Sequence, residues 1–176
     1  GPLPHTPLAL EDSERTTVRD FLARNGVAAG HFPVVAMHLG IGMNFYRVAL
    51  KRWDVSSFAA VADGLIERWG GAVVFTGQGE EERLLVAEAR ARMRHPSIDA
   101  TNQLGVCELT ALVERCHFVV SNDTSVMHLA ALMGTPVAAL FGPTSPLHYG
   151  PRGERNLIFY RDLHCSPCLT NYNLKV

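Results

Sequence analysis

The sequence of 176 residues lacks the features that mark several large classes of protein. No apolar run approaches the roughly 20 residues that a membrane-spanning helix needs, and the N-terminus has no apolar core of a signal peptide. Lys and Arg number 16 against 17 Asp and Glu, so the chain shows no excess of positive charge for binding nucleic acid. No internal repeat, low-complexity tract or Ser/Gly linker divides it. We therefore expect one soluble, well-packed domain that binds no nucleic acid.

Cysteine is also scarce, with four residues in the chain. Cys165 and Cys168 form a Cys-x-x-Cys pair, whereas a structural zinc site normally has two further ligands at a similar spacing. His164 could supply one of them. Reduced thiols are the favoured interpretation, with a disulfide or an incomplete metal site as alternatives. Because so few cysteines are present, the cytoplasm is the expected compartment.

The sequence does contain a regular alternation of short apolar segments and longer amphipathic ones. The pattern predicts strands at 34–37, 72–75, 117–120 and 137–140, with weaker ones at 97–99 and 157–159. It predicts helices at 16–24, 56–69, 80–94, 109–116 and 125–133. Continuous apolar strands are typical of a parallel sheet covered on both faces. The predicted fold class is therefore α/β, a Rossmann-like parallel sheet flanked by helices with right-handed crossovers.

Four loops at the predicted carboxyl ends of strands are the candidate ligand sites, because open parallel sheets bind ligands there. The first loop, 38–44, has glycines at positions 40 and 42, which suit either a close ligand or a tight turn. It lacks the third glycine of a dinucleotide-binding motif. In the second loop, Lys51 and Arg52 are adjacent cations that suit a diphosphate, with a solvent-exposed lysine as the alternative.

The helix after the second loop has a recognisable start. Asp54 is predicted to be its N-cap, which places Trp53 and Phe58 where a hydrophobic staple forms. The third loop, 76–82, ends in three consecutive glutamates. Acidic residues in a first helical turn usually complement the helix dipole, but one of them could accept hydrogen bonds from ribose or sugar hydroxyls.

The fourth loop, 121–128, is the most informative. Asp123 or Thr124 can cap the following helix, whose free N–H groups then face the strand ends and suit an anion. His128 lies one turn further on and can share a face with Thr124. A purely structural histidine is the alternative interpretation.

Taken together, these residues resemble a known family. The run Ser121–Ala131 (SNDTSVMHLAA), followed by Gly134-Thr135-Pro136 and Phe141-Gly142-Pro143-Thr144, resembles the signature of glycosyltransferase family 9, the ADP-heptose:lipopolysaccharide heptosyltransferases. Lys51-Arg52-Trp53 and the Thr76-Gly77 turn match further landmarks in the same order. The likeness covers roughly residues 30–170. It implies a GT-B fold of two facing Rossmann-like domains, of which this chain is the C-terminal, sugar-nucleotide-binding half.

The resemblance also implies a domain plan and a role for each matching position. Residues 1–30 would be a lead-in segment with one helix, residues 31–176 the donor domain, and the N-terminal acceptor domain would be absent. The implied donor ligands are Lys51 for phosphate or sugar, Glu80 or Glu81 for ribose, Asp123 for sugar hydroxyls, the backbone of Thr124 and Ser125 for the diphosphate, and His128. Two positions depart from the family: Ser125 replaces a usual glycine, and His38-Leu39-Gly40 replaces His-Pro-Gly.

The expected chemistry needs no metal and no cofactor. No Asp-x-Asp motif occurs, so the metal-binding element of the other main glycosyltransferase fold is missing. Cations and helix dipoles must then stabilise the leaving diphosphate, and Lys51 and the helix after Asp123 suit that task. The acceptor hydroxyl needs a general base, which the resemblance places on the absent N-terminal domain. No catalytic residue is therefore named.

The expected function is donor binding in a metal-independent, inverting glycosyltransferase. The resemblance implies transfer of a heptose-type sugar from a nucleotide diphosphate, ADP-heptose, to a lipid-linked saccharide of lipopolysaccharide type. It also implies peripheral association of the full-length enzyme with the inner membrane. The alternatives are a sugar-nucleotide epimerase of the same fold and a catalytically inactive nucleotide-sugar-binding module, the latter suggested by Ser125.

Overall fold

The structure, a computed structural model, describes residues 8–28, 30, 33–41, 49–170 and 173–174. Its strands are β1 (Val34–His38), β2 (Ala72–Thr76), β3 (Ile98–Asp99), β4 (Phe118–Asn122), β5 (Val137–Phe141), β6 (Leu157–Tyr160), β7 (Leu169–Thr170) and β8 (Asn173–Leu174). Its helices are α1 (Asp12–Arg24), α2 (Val55–Trp69), α3 (Gly79–Arg92), α4 (Val106–Arg115), α5 (Ser125–Leu132) and α6 (Pro146–Tyr149), with a 3-10 turn at Ala49–Lys51. Every helix and strand that the sequence predicts is present, with shifted ends.

The predicted parallel sheet is confirmed. Six strands pair in the order β3-β2-β1-β4-β5-β6, all parallel, and β7 pairs with β8 in a small antiparallel ribbon. The strand order reverses between β1 and β4, because the chain returns from β3 across the sheet before it forms β4. At such a reversal the loops after the two strands diverge and leave a crevice for a ligand. His38, the last residue of β1, pairs with Thr76 on one side and with Ser121 on the other.

Helices cover the sheet on both faces because its strands are apolar on both faces. Side chains of α1, α4 and α5 pack in one buried cluster, and those of α2 and α3 pack in the other. Val18, Phe21 and Leu22 of α1 are buried in the first cluster. Helix α1 therefore shares the core of the sheet, and the division near residue 30 stays a prediction.

The start of α2 is built as the sequence predicts. The carboxylate of Asp54 accepts a hydrogen bond from the Ser57 backbone N–H at 3.0 Å, and the rings of Trp53 and Phe58 meet edge to face at 5.1 Å. Gly70 ends the helix in the left-handed conformation at φ 65°. These contacts fix the chain just before α2, where Lys51 and Arg52 lie.

One half of the sheet is left open on the α2 side by the described residues. Ala138 pairs with Leu157 and Leu140 with Phe159, and these side chains line an apolar groove of about 900 Å³. Leu157 is 64% exposed and Phe159 is 55% exposed. Strands of parallel sheets are usually covered on both faces. The groove is thus an apolar surface that meets solvent.

Asp63 joins α2 to the turn after α3. Its buried carboxylate accepts hydrogen bonds from the backbone N–H groups of Arg94 and His95 at 3.0 Å, and from Arg94 Nε at 3.3 Å. Burial raises the pKa of Asp63, but these donors outweigh it and hold the pKa below its ordinary value. The ionised carboxylate therefore stabilises the fold.

We expect Asp63→Ala to lower the free energy of unfolding by about 2–4 kcal/mol, because two part-buried N–H groups lose their acceptor. Asp63→Asn keeps one oxygen acceptor and should lose less. Because the folded-state pKa lies below the unfolded value of about 3.9, the contribution of the charge is present above that pH and disappears as the pH falls through the folded-state pKa. Urea denaturation of the three proteins at pH 7 and pH 3 measures both effects. An alanine variant as stable as the parent at pH 7 would contradict the role of Asp63.

No helix in the described part of the chain is long and apolar enough to cross a lipid bilayer.

Candidate functional site

The carboxyl ends of β4 and β5 bring together Lys51, Asp123 and Thr144. Lys51 Nζ lies 2.6 Å from Asp123 Oδ2, and Thr144 Oγ1 donates a hydrogen bond of 2.6 Å to the same oxygen. The Lys51 side chain is 18% exposed and the Asp123 side chain 8% exposed, so the pair is mostly shielded from water. The sequence identified Lys51 and Asp123 as candidates and missed Thr144. A cation of this kind, held at a crevice, suits an anionic ligand.

The start of α5 lies directly after Asp123. Thr124 is the N-cap residue, as one of the two predicted alternatives, but its side chain makes no capping hydrogen bond. Its Oγ1 instead lies 3.2 Å from Ser121 Oγ. The N-cap side chain thus leaves the N–H groups of the first turn to an incoming anion. Ser125 and His128 are exposed on the first turns of the same helix.

The three glutamates at the start of α3 point in different directions. Glu80 is 68% exposed and pairs with Arg83 at 2.6 Å, and Arg83 lowers the pKa of Glu80. Glu81 is 76% exposed and pairs with Arg52 at 2.6 Å. The structure therefore brings neither residue into contact with Lys51 or Asp123. Glu81 reaches the site only through Arg52, the neighbour of Lys51.

Glu82, which the sequence analysis did not single out, faces the strand ends. Its carboxylate is 13% exposed, accepts a hydrogen bond from the Gln78 backbone N–H at 2.8 Å, and lies 4.0 Å from His38 Nε2. One signal could have found it: Glu82 precedes Val86 by four residues and Ala89 by seven, and both are buried. Residues at this spacing share one face of a helix. The inward face of α3 thus continues to Glu82.

The first loop supports this carboxylate. A side chain at Gly40 would displace the Glu82 carboxylate from its present position, so glycine permits this close approach. His38 is buried below, with Nδ1 3.1 Å from Thr76 Oγ1. Burial lowers the pKa of His38, and the charge of Glu82 offsets part of that effect. The second glycine of the loop, Gly42, lies outside the described residues together with residues 43 and 44.

Asn122 connects the loops of the site and was also missed from sequence. Its buried amide accepts a hydrogen bond from the Trp53 backbone N–H at 3.0 Å and donates one to the Leu39 carbonyl at 2.8 Å. Asn122 is the last residue of β4 and precedes Asp123. It therefore holds the Lys51 segment and the first loop against the same strand end.

None of the four cysteines, all of which lie in the described residues, is paired in a disulfide in the structure, and the reduced state of Cys165 and Cys168 stays a prediction. Cys116 is buried, which raises its pKa to about 12, and Cys165 and Cys168 are exposed. Within the described ranges, no three or more His, Cys, Asp and Glu side chains lie close enough to hold a metal ion.

Comparison with known proteins agrees with this arrangement. The family model of glycosyltransferase family 9 (heptosyltransferase) matches residues 28–175. A curated relative, lipopolysaccharide heptosyltransferase 3 of Escherichia coli, is 28% identical over 130 residues, which are 70% of this chain and 38% of that protein. The chain thus spans well under half the length of this relative.

Solved structures show the same fold. A glycosyltransferase of family 9 from Veillonella parvula superposes with a TM-score of 0.79 at 27% identity, over 90% of this chain and 44% of that one. The ADP-heptose lps heptosyltransferase II of E. coli superposes with a TM-score of 0.72 at 22% identity, over 89% of this chain and 47% of that one. TibC of enterotoxigenic E. coli is named an iron-containing dodecameric glycosyltransferase. It superposes with a TM-score of 0.57 at 15% identity, over 77% of this chain and 33% of that one.

The fold is one Rossmann-like half of a GT-B glycosyltransferase. The candidate ligand residues lie at the carboxyl ends of its strands, as expected. The family model covers every described residue from position 28 onward and leaves out helix α1. The chain therefore belongs to glycosyltransferase family 9, the heptosyltransferases.

Proposed function

We propose that this chain is the donor-binding domain of a metal-independent, inverting heptosyltransferase. The donor is ADP-heptose and the acceptor a lipid-linked saccharide of the lipopolysaccharide type. The observation that carries the proposal is the Lys51–Asp123 pair beside the uncapped start of α5, at the point where the strand order reverses. The names of the E. coli relatives support the acceptor and the nucleotide.

The site offers positive charge where the leaving diphosphate gains negative charge. Lys51 has three N–H donors, of which one serves Asp123, so two remain for phosphate oxygens. The dipole of α5 adds partial positive charge at the N–H groups that follow Thr124 and Ser125. Fixed positive groups in a partly buried site stabilise a developing anion without rearrangement. Lys51 and the start of α5 thus stabilise the leaving diphosphate, as a metal ion does in other transferases.

Asp123 is placed to bind the sugar. Both of its described contacts use Oδ2, from Lys51 and from Thr144, which leaves Oδ1 for a sugar hydroxyl. Glu82 takes the ribose role in this proposal instead of Glu80 or Glu81, because its carboxylate faces the strand ends. We propose that His128, which is exposed on α5, borders the diphosphate. The general base belongs to the acceptor-binding domain, and the whole enzyme works in the cytoplasm at the inner membrane.

Calorimetric titration with ADP, UDP and GDP tests the proposal. We expect ADP to bind at least about tenfold more tightly than UDP or GDP, which corresponds to about 1.4 kcal/mol. The ADP affinity should be the same, within about twofold, after treatment with EDTA. No binding of any nucleoside diphosphate would contradict the donor-binding role, and loss of binding with EDTA would contradict metal independence.

A pair of variants tests which glutamate binds the ribose. Glu82→Gln should weaken ADP binding about tenfold, because a hydrogen bond from a hydroxyl to a charged acceptor becomes one to a neutral acceptor. Glu80→Gln is the matched control on the same helix and should bind ADP as the parent does, within about twofold. Calorimetry with ADP measures both. A larger loss for Glu80→Gln than for Glu82→Gln would reverse the assignment.

The epimerase gains no support from the comparisons, since the matching family is one of heptosyltransferases. The hypothesis of a catalytically inactive module rests on Ser125. This residue is the first of α5, and its side chain is exposed. Ser125→Gly distinguishes it: if the serine blocks the diphosphate, the glycine variant gains ADP affinity.

A further inference from the structure

We propose that Asn122 is a positioning residue that holds Lys51 in the donor site through the Trp53 backbone. The side chain is fully buried, and both ends of its amide are used. Oδ1 accepts from the Trp53 N–H at 3.0 Å, and Nδ2 donates to the Leu39 carbonyl at 2.8 Å. The effect of Asn122 on donor binding rests on the proposed function. The hydrogen bonds of Asn122 to Trp53 and Leu39 are independent of it.

The contact with Trp53 reaches Lys51 by a short path. Lys51 is the last residue of a 3-10 turn in which the Arg52 N–H donates to the Ala49 carbonyl at 2.9 Å. Trp53 follows directly, and Asp54 begins the cap of α2. The Asn122 amide therefore fixes the backbone two residues beyond Lys51, while Asp123, the residue that follows β4, holds the Lys51 ammonium. Two adjacent residues thus set the backbone and the side-chain position of one cation.

The contact with Leu39 extends the same control to the other side of the site. Leu39 precedes Gly40, and Gly40 lies against the carboxylate of Glu82. One amide therefore keeps two segments at a fixed separation: the segment that carries Lys51 and the loop at Leu39-Gly40, which lies against Glu82. An ionised carboxylate at this buried position could accept from the Trp53 N–H but could not donate to the Leu39 carbonyl. The position needs one donor and one acceptor, which among side chains of this size an amide provides.

Lysine reactivity measures this role without a ligand. The chain has two lysines, Lys51 and Lys175, so acetylation by an N-hydroxysuccinimide ester can be followed at Lys51 by mass spectrometry of a single peptide. In the parent protein Lys51 should react slowly, because its ammonium is paired with Asp123 and mostly shielded. Asn122→Ala should raise the rate at Lys51 about tenfold and weaken ADP binding by a similar factor, as expected when a buried hydrogen-bonding group is removed.

Asn156→Ala is the matched control. The Asn156 amide also accepts from a backbone N–H, that of Val137 at 3.2 Å, and donates to the Arg152 carbonyl at 2.9 Å. Val137 begins β5, so this amide lies at the amino ends of the strands, away from the candidate site at their carboxyl ends. Asn156→Ala should lower the melting temperature as Asn122→Ala does, yet leave the Lys51 rate and the ADP affinity unchanged within about twofold.

The outcomes separate the two proposals. A Lys51 rate that is the same in Asn122→Ala and in the parent would overturn the positioning role, even if ADP binds. A raised Lys51 rate in a chain that binds no ADP supports the positioning role and contradicts the donor-binding function. If Asn122→Ala does not fold, amide hydrogen exchange in the parent decides: the Trp53 N–H should exchange at least about tenfold more slowly than in an unfolded peptide, and free exchange would overturn the inference.

Discussion

Lys51→Ala is expected to weaken ADP binding about 30- to 100-fold, or about 2–3 kcal/mol, the largest loss from any single change in the site. Two effects add. The variant loses a charged donor to the diphosphate, and it leaves the carboxylate of Asp123, 2.6 Å from the present ammonium, without its cation. An uncompensated carboxylate then repels the phosphates. Calorimetry at one fixed salt concentration measures the loss.

Arg83→Ala provides the control for Lys51→Ala. Its guanidinium pairs with the exposed Glu80 on the surface of α3, so removal of this charge should change the ADP affinity by less than about twofold. Raised salt should reduce the difference between the parent and Lys51→Ala, because the lost interaction is ionic. Equal affinities for ADP in Lys51→Ala and Arg83→Ala would show that Lys51 does not contact the diphosphate.

Asp123→Ala is expected to affect the donor and its nucleotide in different ways. Binding of intact ADP-heptose should weaken at least about tenfold, because the sugar loses its carboxylate acceptor. Binding of ADP should stay the same or become tighter, because Lys51 no longer shares its charge with a neighbouring carboxylate. The ratio of the two dissociation constants, measured by calorimetry, is therefore the informative quantity.

Thr144→Val is the graded counterpart of Asp123→Ala. It removes the hydroxyl that donates to Asp123 Oδ2 at 2.6 Å but keeps the carboxylate and its pairing with Lys51. We expect the ratio of the ADP-heptose and ADP dissociation constants to rise as it does in Asp123→Ala. The corresponding change in binding free energy should be about a third as large. If Asp123→Ala weakened ADP and ADP-heptose equally, Asp123 would not contact the sugar.

The architecture of this chain is largely readable from its sequence because each strand is a short apolar run between helices with clear stops. The end of α2 at Gly70 and its cap at Asp54 are local signals, and both are present. Differences occur at helix starts without a strong cap. Helix α4 begins at Val106, three residues before the predicted start, after a glycine N-cap that makes no side-chain bond.

The site was predictable only where a residue stands next to a recognisable element end. Asp123 follows directly from β4, and Lys51 stands just before the capped start of α2, but the contact between them joins two loops, and no local pattern encodes it. Glu82 was missed because three consecutive glutamates look alike until the inward face of α3 is known from Val86. Asn122 and Thr144 were missed for a different reason: their partners are a backbone N–H on one loop and a carboxylate on another, both set by the packing of the sheet.

The open half of the sheet also governs how the purified chain behaves in concentrated solution. Strand β6 is the last strand of its sheet, and three successive residues, Leu157, Ile158 and Phe159, are exposed there. An apolar edge strand is a template for pairing with other chains. Arg155 and Arg161 flank this segment, and charged residues at such positions disfavour pairing with other chains. Since salt screens charges, we expect self-association through this strand to increase as the ionic strength rises.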